Sequence, residues 1–419
     1  MSSTSPSSGS PRYQQPELQT QVATLPPPQP TYIFRGHSAQ IHGVHFLRQN
    51  SRLLTGDADG WVVLWNLSTK RAVAVWRAHD GAILGLGDWA EDKIITHGRD
   101  ASLKVWQLRT QDEATFSTVL PVDDPVTHRQ NPWLLHSLSV NTLNFCSFSS
   151  CKQQRSELTP IDEVDDLPEP LVIAVPGTKD SQVDVFQLPS ERRMSTVPEV
   201  KSKKAGMVMA IRILYTNDLL AITGYESGHA AIHAHSLSDN TWQLLYLCNA
   251  HTQPILSLDA SPDLKCFLTS SADAVIGKHP LVESPKTQSG ERSADGPLKA
   301  VNTGHAGQQS LRVRNDGKIY ATAGWDGRVR VYSTKTMKEL AVLKWHKEGI
   351  YGVAFANIDA PPHTAASAPV EDDVTVASTT QSLTHAAGSV SQRRDAKART
   401  THWLAAGSKD GKVSLWDIY

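Results

Sequence analysis

The chain repeatedly sets a histidine, a hydroxyl, a carboxylate and an aromatic ring at fixed distances, the side chains from which a hydrolase relay would be assembled. The first set is His37, Thr55, Asp59 and Trp65; the second is His79, Thr96, Asp100 and Trp106; a later one is His305, Thr322, Asp326 and Tyr332. A catalytic triad needs one activated nucleophile, an oxyanion hole and a cleft. Here the set recurs and erodes: His279 stands at the aromatic position of the fifth copy, and Ala406 replaces the threonine of the seventh. Repetition with decay describes a strut rather than a catalyst. A chain from indole N–H through hydroxyl and imidazole to carboxylate satisfies all four buried groups within one unit.

The elements that must hold these sets follow from the repeat itself. "LLTGDADGWVVLWNL" (53–67) is matched by "IITHGRDASLKVWQL" (94–108), "IAVPGTKDSQVDVFQL" (173–188), "FLTSSADAVIGKHPL" (267–281), "YATAGWDGRVRVYST" (320–334) and "LAAGSKDGKVSLWDI" (404–418), with a weaker copy at 220–237. In each, a short apolar strand meets a turn, and an alternating strand places an aromatic or His six residues beyond the turn residue: Asp59/Trp65, Asp100/Trp106, Asp180/Phe186, Ser227/His233, Asp273/His279, Asp326/Tyr332 and Asp410/Trp416. Upstream histidines His37, His79, His251, His305 and His346 each precede a strand, and His37 to His79 spans 42 residues. That period and the Gly-His and Trp-Asp landmarks match the WD repeat, one four-stranded blade per copy. The pattern predicts an all-β, seven-bladed WD-repeat propeller over 31–419. The two long gaps, Asp100 to Asp180 and Asp326 to Asp410, each hold one strand-like set ("SVNTLNFCSF" and "GIYGVAFA") plus polar filler, so insertions explain them better than extra blades. The strand "TYIFRGH" has no earlier partner and "VSLWDIY" has no fourth strand after it, so pairing them closes the ring.

Around this core, residues 1–30 are rich in Ser, Pro and Gln and read as a disordered arm. Insertions are expected at about 152–169, 282–297 and 357–401, the last a long Ala/Thr/Ser-rich loop ending "SQRRDAKARTT". That basic run and "KSKK" (201–204) read as solvated surface or as import patches. With 41 basic and 42 acidic residues there is no global pull toward nucleic acid or anionic membrane. The absence of a long apolar run and of a signal-like start predicts a soluble, unsecreted protein. Cys146, Cys151, Cys248 and Cys266 form no C-x-x-C pair and read as free thiols. "GDADG" fails as a calcium loop because Trp61 stands fifth and no Glu stands twelfth. His229, His233 and His235 share strand parity, but no nearby Cys or acid supports a metal site. No motif of a nucleotide-binding or hydrolytic enzyme stands in a fitting context. No cofactor and no metal are expected.

The loops bearing the turn residues line one face of a rigid ring, where binding belongs. The residues just before the turn positions include Arg99, Lys179, Trp325 and Lys409, and with Tyr351 they form the candidate partner-binding set for an acidic peptide or loop.

On "FRGHSAQIHGVHF", "GDADGWVVLWNL", "IITHGRDASLKVW", "AGWDGRVRVY", "LAVLKWHKEGIYGVAFA" and "AAGSKDGKVSLWDIY", the chain resembles the fungal ASTRA-associated protein one family of WD-repeat proteins, itself similar in pattern to guanine-nucleotide-binding protein beta-like proteins. The resemblance implies a non-enzymatic, monomeric propeller in the ASTRA assembly. It also implies a nuclear location, or a nuclear and cytoplasmic one, and a link to chromatin remodelling and to maturation of phosphatidylinositol-3-kinase-related kinases. Its partners would be protein subunits, with no direct nucleic-acid or membrane contact. The alternatives are a ubiquitin-ligase substrate receptor or a G-protein beta-like scaffold. The Pro-rich arm argues against the latter's N-terminal helix, and no docking box is visible for the former.

Overall fold

Short runs of Val, Ile, Leu and Thr bounded by Gly, Asp and Asn pair with their chain neighbours as antiparallel hairpins, and every fourth hairpin is interrupted so that sheets stop at four strands. The structure, a computed structural model, describes residues 28–141, 146–153, 169–200, 205–236, 239–281, 296–358 and 389–418. They form seven four-stranded sheets, the blades of a β-propeller. Blade 1 runs outward through Ile41–Leu47, Arg52–Asp57, Trp61–Asn66 and Arg71–Arg77. The innermost strands of blades 2 to 7 are Ile83–Trp89, Ser149–Lys152, Val208–Tyr215, Ile255–Ala260, Gln308–Val313 and Ile350–Phe355. Innermost strands touch between blades 1 and 2 and from blade 3 through blade 7, and Ile41–Leu47 touches Ile350–Phe355; blades 2 and 3 meet in one core cluster that joins Trp89 and Ile95 to Phe148 and Ile173, which closes the circle around a central channel.

The closure is the predicted one. Tyr32–Arg35 pairs antiparallel with Lys412–Asp417, Tyr32 opposite Leu415 and Arg35 opposite Lys412, and Thr31 N–H donates to the Leu415 carbonyl at 2.8 Å. Phe34, 2% exposed, meets the Trp65 ring at 5.0 Å and ties blade 7 to blade 1. Lys412–Asp417 is thereby paired on both sides, and Tyr32–Arg35 becomes the outer strand of blade 7.

Three details differ from the sequence reading. The first strand of blade 3 is Ser149–Lys152 rather than "SVNTLNFCSF", because Ser139 still belongs to the outer strand of blade 2, Trp133–Ser139, and Cys146 and Phe148 are drawn into the core. Much of the gap between Asp100 and Asp180 is a strap over residues 109–132. It opens with the 3-10 turn Thr110–Thr115, whose buried Glu113 is held by Arg48 and Arg52, and it crosses the rim of blade 1. There Val75 N–H donates to the Ser117 carbonyl, Val122 N–H donates to Gly36 beside the closure, and the Arg129 guanidinium lies 4.3 Å above the Trp61 ring. The end of the third insertion is not loop: Ser389 caps a helix, α1 (Val390–Thr400), with Gln392 completing the capping box. Trp403 Nε1 donates to Ala398 and the Asn50 amide donates to Arg399, which docks α1 at the foot of blades 7 and 1. The N-terminal arm through residue 27, and residues 154–168, 201–204, 282–295 and 359–388, lie outside the described residues.

Candidate functional site

The repeated sets are built first, since they fix the turns that carry the exposed face. In blade 2, Asp100 Oδ1 accepts from His79 Nδ1 at 2.8 Å, His79 Nε2 meets Thr96 Oγ1 at 2.7 Å, and that hydroxyl oxygen accepts from Trp106 Nε1 at 2.8 Å. A carboxylate only accepts, so Nδ1 carries a proton; the hydroxyl oxygen takes the indole N–H, so its own proton can point at Nε2. Burial opposes ionisation of Asp100, yet the hydrogen bonds from His79 and Ser102 prevail and hold its carboxyl well below the usual range. His79, Thr96 and Trp106 are buried, which leaves no approach for a substrate.

Blade 1 makes the same chain with a different acid. Asp57, not Asp59, accepts from His37 Nδ1 at 2.7 Å, while His37 Nε2 and Trp65 Nε1 meet Thr55 Oγ1 at 2.7 and 2.9 Å. The other Asp57 oxygen accepts the backbone N–H of Asp59 and of Trp61, so the turn folds around Asp57 and turns Asp59 outward to solvent. Gly60, at φ +83°, follows; a Cβ there would lie 2.0 Å from the His79 carbonyl, so glycine lets the next blade's histidine loop approach.

The sixth set does not assemble. His305 stays half-buried outside the blade, and Asp326 instead accepts from Arg330 Nη2 at 2.6 Å. Arg330, 1% exposed, stands opposite Thr322 on the neighbouring strand. Burial opposes ionisation of Asp326, and the bond from Arg330 outweighs it and lowers the carboxyl pKa. Tyr332 stacks on Tyr320 at 5.0 Å rather than extending a relay. In blade 7 the hydroxyl missing at Ala406 comes from Ser414, its cross-strand neighbour, which bonds His346 Nε2 at 2.9 Å and Trp416 Nε1 at 2.8 Å. In blade 5, His279 bonds Thr269 at 2.9 Å and takes the indole's place. Among the described residues no group of three His, Cys, Asp or Glu is placed to hold a metal; His229 bonds Ser227 and His235 bonds Asn240.

These turns present the exposed residues. Trp325 (48% exposed), Tyr351 and Lys409 line one pit of about 420 Å³ with Glu348 and Gly349, at the mouth of the channel. Trp325 is held by Nε1 donating to Gln309 at 2.9 Å, and the backbone N–H of Lys409 donates to Gly349 at 2.9 Å. Tyr351 meets His42 edge-on at 5.5 Å. Burial lowers the His42 pKa, against the Ile83 backbone bond and Asp57, and Arg99 is exposed on blade 2 and does not line the pit. Lys179 is exposed on blade 3 and does not line the pit. His42 and Gln309 were missed by sequence reasoning, since neither holds a fixed place in the turn motif.

A ring of seven four-stranded blades with buried polar struts defines the molecule as a seven-bladed β-propeller. The family profile described as ASTRA-associated protein 1 matches residues 30–416, and the chain belongs to that family. A Verticillium alfalfae protein of that name is 48% identical over 398 residues, covering 94% of this chain and 93% of its own length. One from Penicillium rubens is 45% identical over 95% of this chain and 99% of its own. One from Schizosaccharomyces pombe is 34% identical over 78% and 93%.

Proposed function

We propose that this protein is a non-enzymatic scaffold subunit of the ASTRA assembly that acts in the nucleus, in chromatin remodelling and in maturation of phosphatidylinositol-3-kinase-related kinases. The relatives' printed names speak of association with ASTRA, and the exposed basic side chains of α1 suit nuclear import. The carrying observation is the pit of Trp325, Tyr351 and Lys409, a rigid aromatic and cationic surface of the kind that anchors an acidic loop of a protein partner.

The test is affinity purification of the tagged protein from its own cells with mass spectrometry, alongside a Trp325→Ala/Lys409→Glu variant of unchanged melting temperature. Recovery of ASTRA subunits by the wild type and their loss from the variant supports the reading. Recovery of cullin adaptors or G-protein gamma chains instead overturns the assembly, and equal recovery by both proteins overturns the site.

A further inference from the structure

The central channel narrows between two cavities of about 500 and 860 Å³ that open toward opposite faces. Val44, Leu86, Phe148, Ile211 and Leu258 line both, contributed by blades 1 to 5; among the described residues Ser147 and Arg312 are the only polar ones common to the two. A guanidinium therefore sits at an apolar waist. Its Nη1 donates to the Leu311 carbonyl at 2.8 Å and to Ser257 Oγ at 3.4 Å, while Nη2 and Nε make no hydrogen bond to the described residues. Arg312 and Arg212 are both exposed to the open channel, so their guanidinium groups are within reach of a dissolved ligand.

Charge at this level is unbalanced. Arg212 and Arg312 face a single carboxylate, Asp259, whose oxygens already accept Val313 N–H at 2.9 Å and Ala260 N–H at 3.0 Å, with Arg212 Nε at 3.6 Å. Two positive charges and one negative leave a surplus of one. Elsewhere in the wider cavity Asp88 is bonded by His45 at 2.6 Å, Arg48 is paired with Glu113, and Arg399 donates to Gln49.

We propose that the channel waist is a binding site for a monocarboxylate on an apolar stem, with the carboxylate held by Arg312 and Arg212 and the stem by the ring of Val44, Leu86, Phe148, Ile211 and Leu258. A guanidinium's paired N–H groups match a carboxylate. One negative charge neutralises the surplus, and the ring of Val44, Leu86, Phe148, Ile211 and Leu258 can hold an apolar stem, which inorganic phosphate lacks. The cavity volumes are those of small-ligand sites. The same chemistry comes from two sources: a free organic acid, or the C-terminal carboxylate of an inserted chain.

The test is calorimetric titration of the full chain with hexanoate and hexanamide, and with a leucine-terminated tetrapeptide as free acid and as amide. The proposal expects saturable one-to-one binding of at least one acid, at least tenfold tighter than its amide and at least tenfold weaker in Arg312→Gln of unchanged melting temperature. Hexanoate binding assigns a small acid; binding of the peptide acid alone assigns a chain terminus. Equal binding of acid and amide by the wild type overturns the proposal even if the variant fails to fold. So does binding of inorganic phosphate in preference to both acids, or acid binding undiminished in folded Arg312→Gln.

Discussion

Asp57 and Asp59 sit two residues apart in one turn, yet only one of them holds blade 1 together. Asp57 is 0% exposed and accepts from His37 Nδ1 at 2.7 Å and from two backbone N–H groups at 3.0 Å each. Asp57→Ala strands these donors. The Asp59 amide belongs to an exposed residue and can turn to water, whereas His37 and the Trp61 amide are buried. At roughly 1–3 kcal/mol for each buried donor left unmet, Asp57→Ala should cost about 3–5 kcal/mol, the range for breaking a buried pair. Asp59→Ala removes an exposed side chain whose partners are solvent and should fall within about 0.5 kcal/mol of wild type. Urea unfolding followed by circular dichroism and tryptophan fluorescence gives both values from midpoint and slope. Costs within about 1 kcal/mol of each other, or a larger cost for Asp59→Ala, would refute the assignment of Asp57 as the strut.

The other expectations are read in the same way. Ser414→Ala should cost about 2–4 kcal/mol in urea unfolding, because His346 and Trp416 both lose their shared hydroxyl; a loss below 0.5 kcal/mol by the same assay would show that Ser414 does not replace the missing threonine. Phe34→Ala should cost about 3–5 kcal/mol by opening a cavity at the ring closure, read as a fall in melting temperature. Acid should destabilise the fold before its carboxylates titrate. Burial lowers the pKa of His97 and His279 to about 3 and of His233 to about 4. A histidine with a depressed folded pKa contributes stability that is complete above its unfolded value near 6.5 and is lost as pH falls toward the folded one. Each such group should take away up to about 1.4 kcal/mol per pH unit below 6.5, so melting curves should shift down between pH 7 and 5, and a flat profile across that window would contradict the burial of these rings.

Much of this was legible because a repeated unit states its rule several times. His79, Thr96, Asp100 and Trp106 stand where the spacing puts them, and the pairing of "TYIFR" with "KVSLWD" follows from two strands left without neighbours. The failures have local causes. Spacing could not choose between Asp57 and Asp59, since both precede the same glycine turn and only the direction of the side chain at the strand end decides. Arg330 was readable as an arginine on an inward strand position, where no charge stays without a partner, yet its partner Asp326 was already allotted to His305. The strap over 109–132 has no period and reaches its anchors through backbone bonds and a ring contact, which composition does not encode. At the channel mouth, Trp325, Tyr351 and Lys409 converge because neighbouring turns of blades 6 and 7 share one pit, while Arg99 and Lys179 hold the same place in their own blades and do not line it.

The channel mouth is the proposed seat of a partner protein. A photo-reactive phenylalanine analogue placed at Tyr351 in living cells, with one at exposed Trp133 on the outer edge of blade 2 as the control, tests it directly. Crosslinks from position 351 to an ASTRA subunit, absent from position 133 and abolished by Lys409→Glu, are the predicted result. The same subunit captured from position 133 and not from 351 would contradict it.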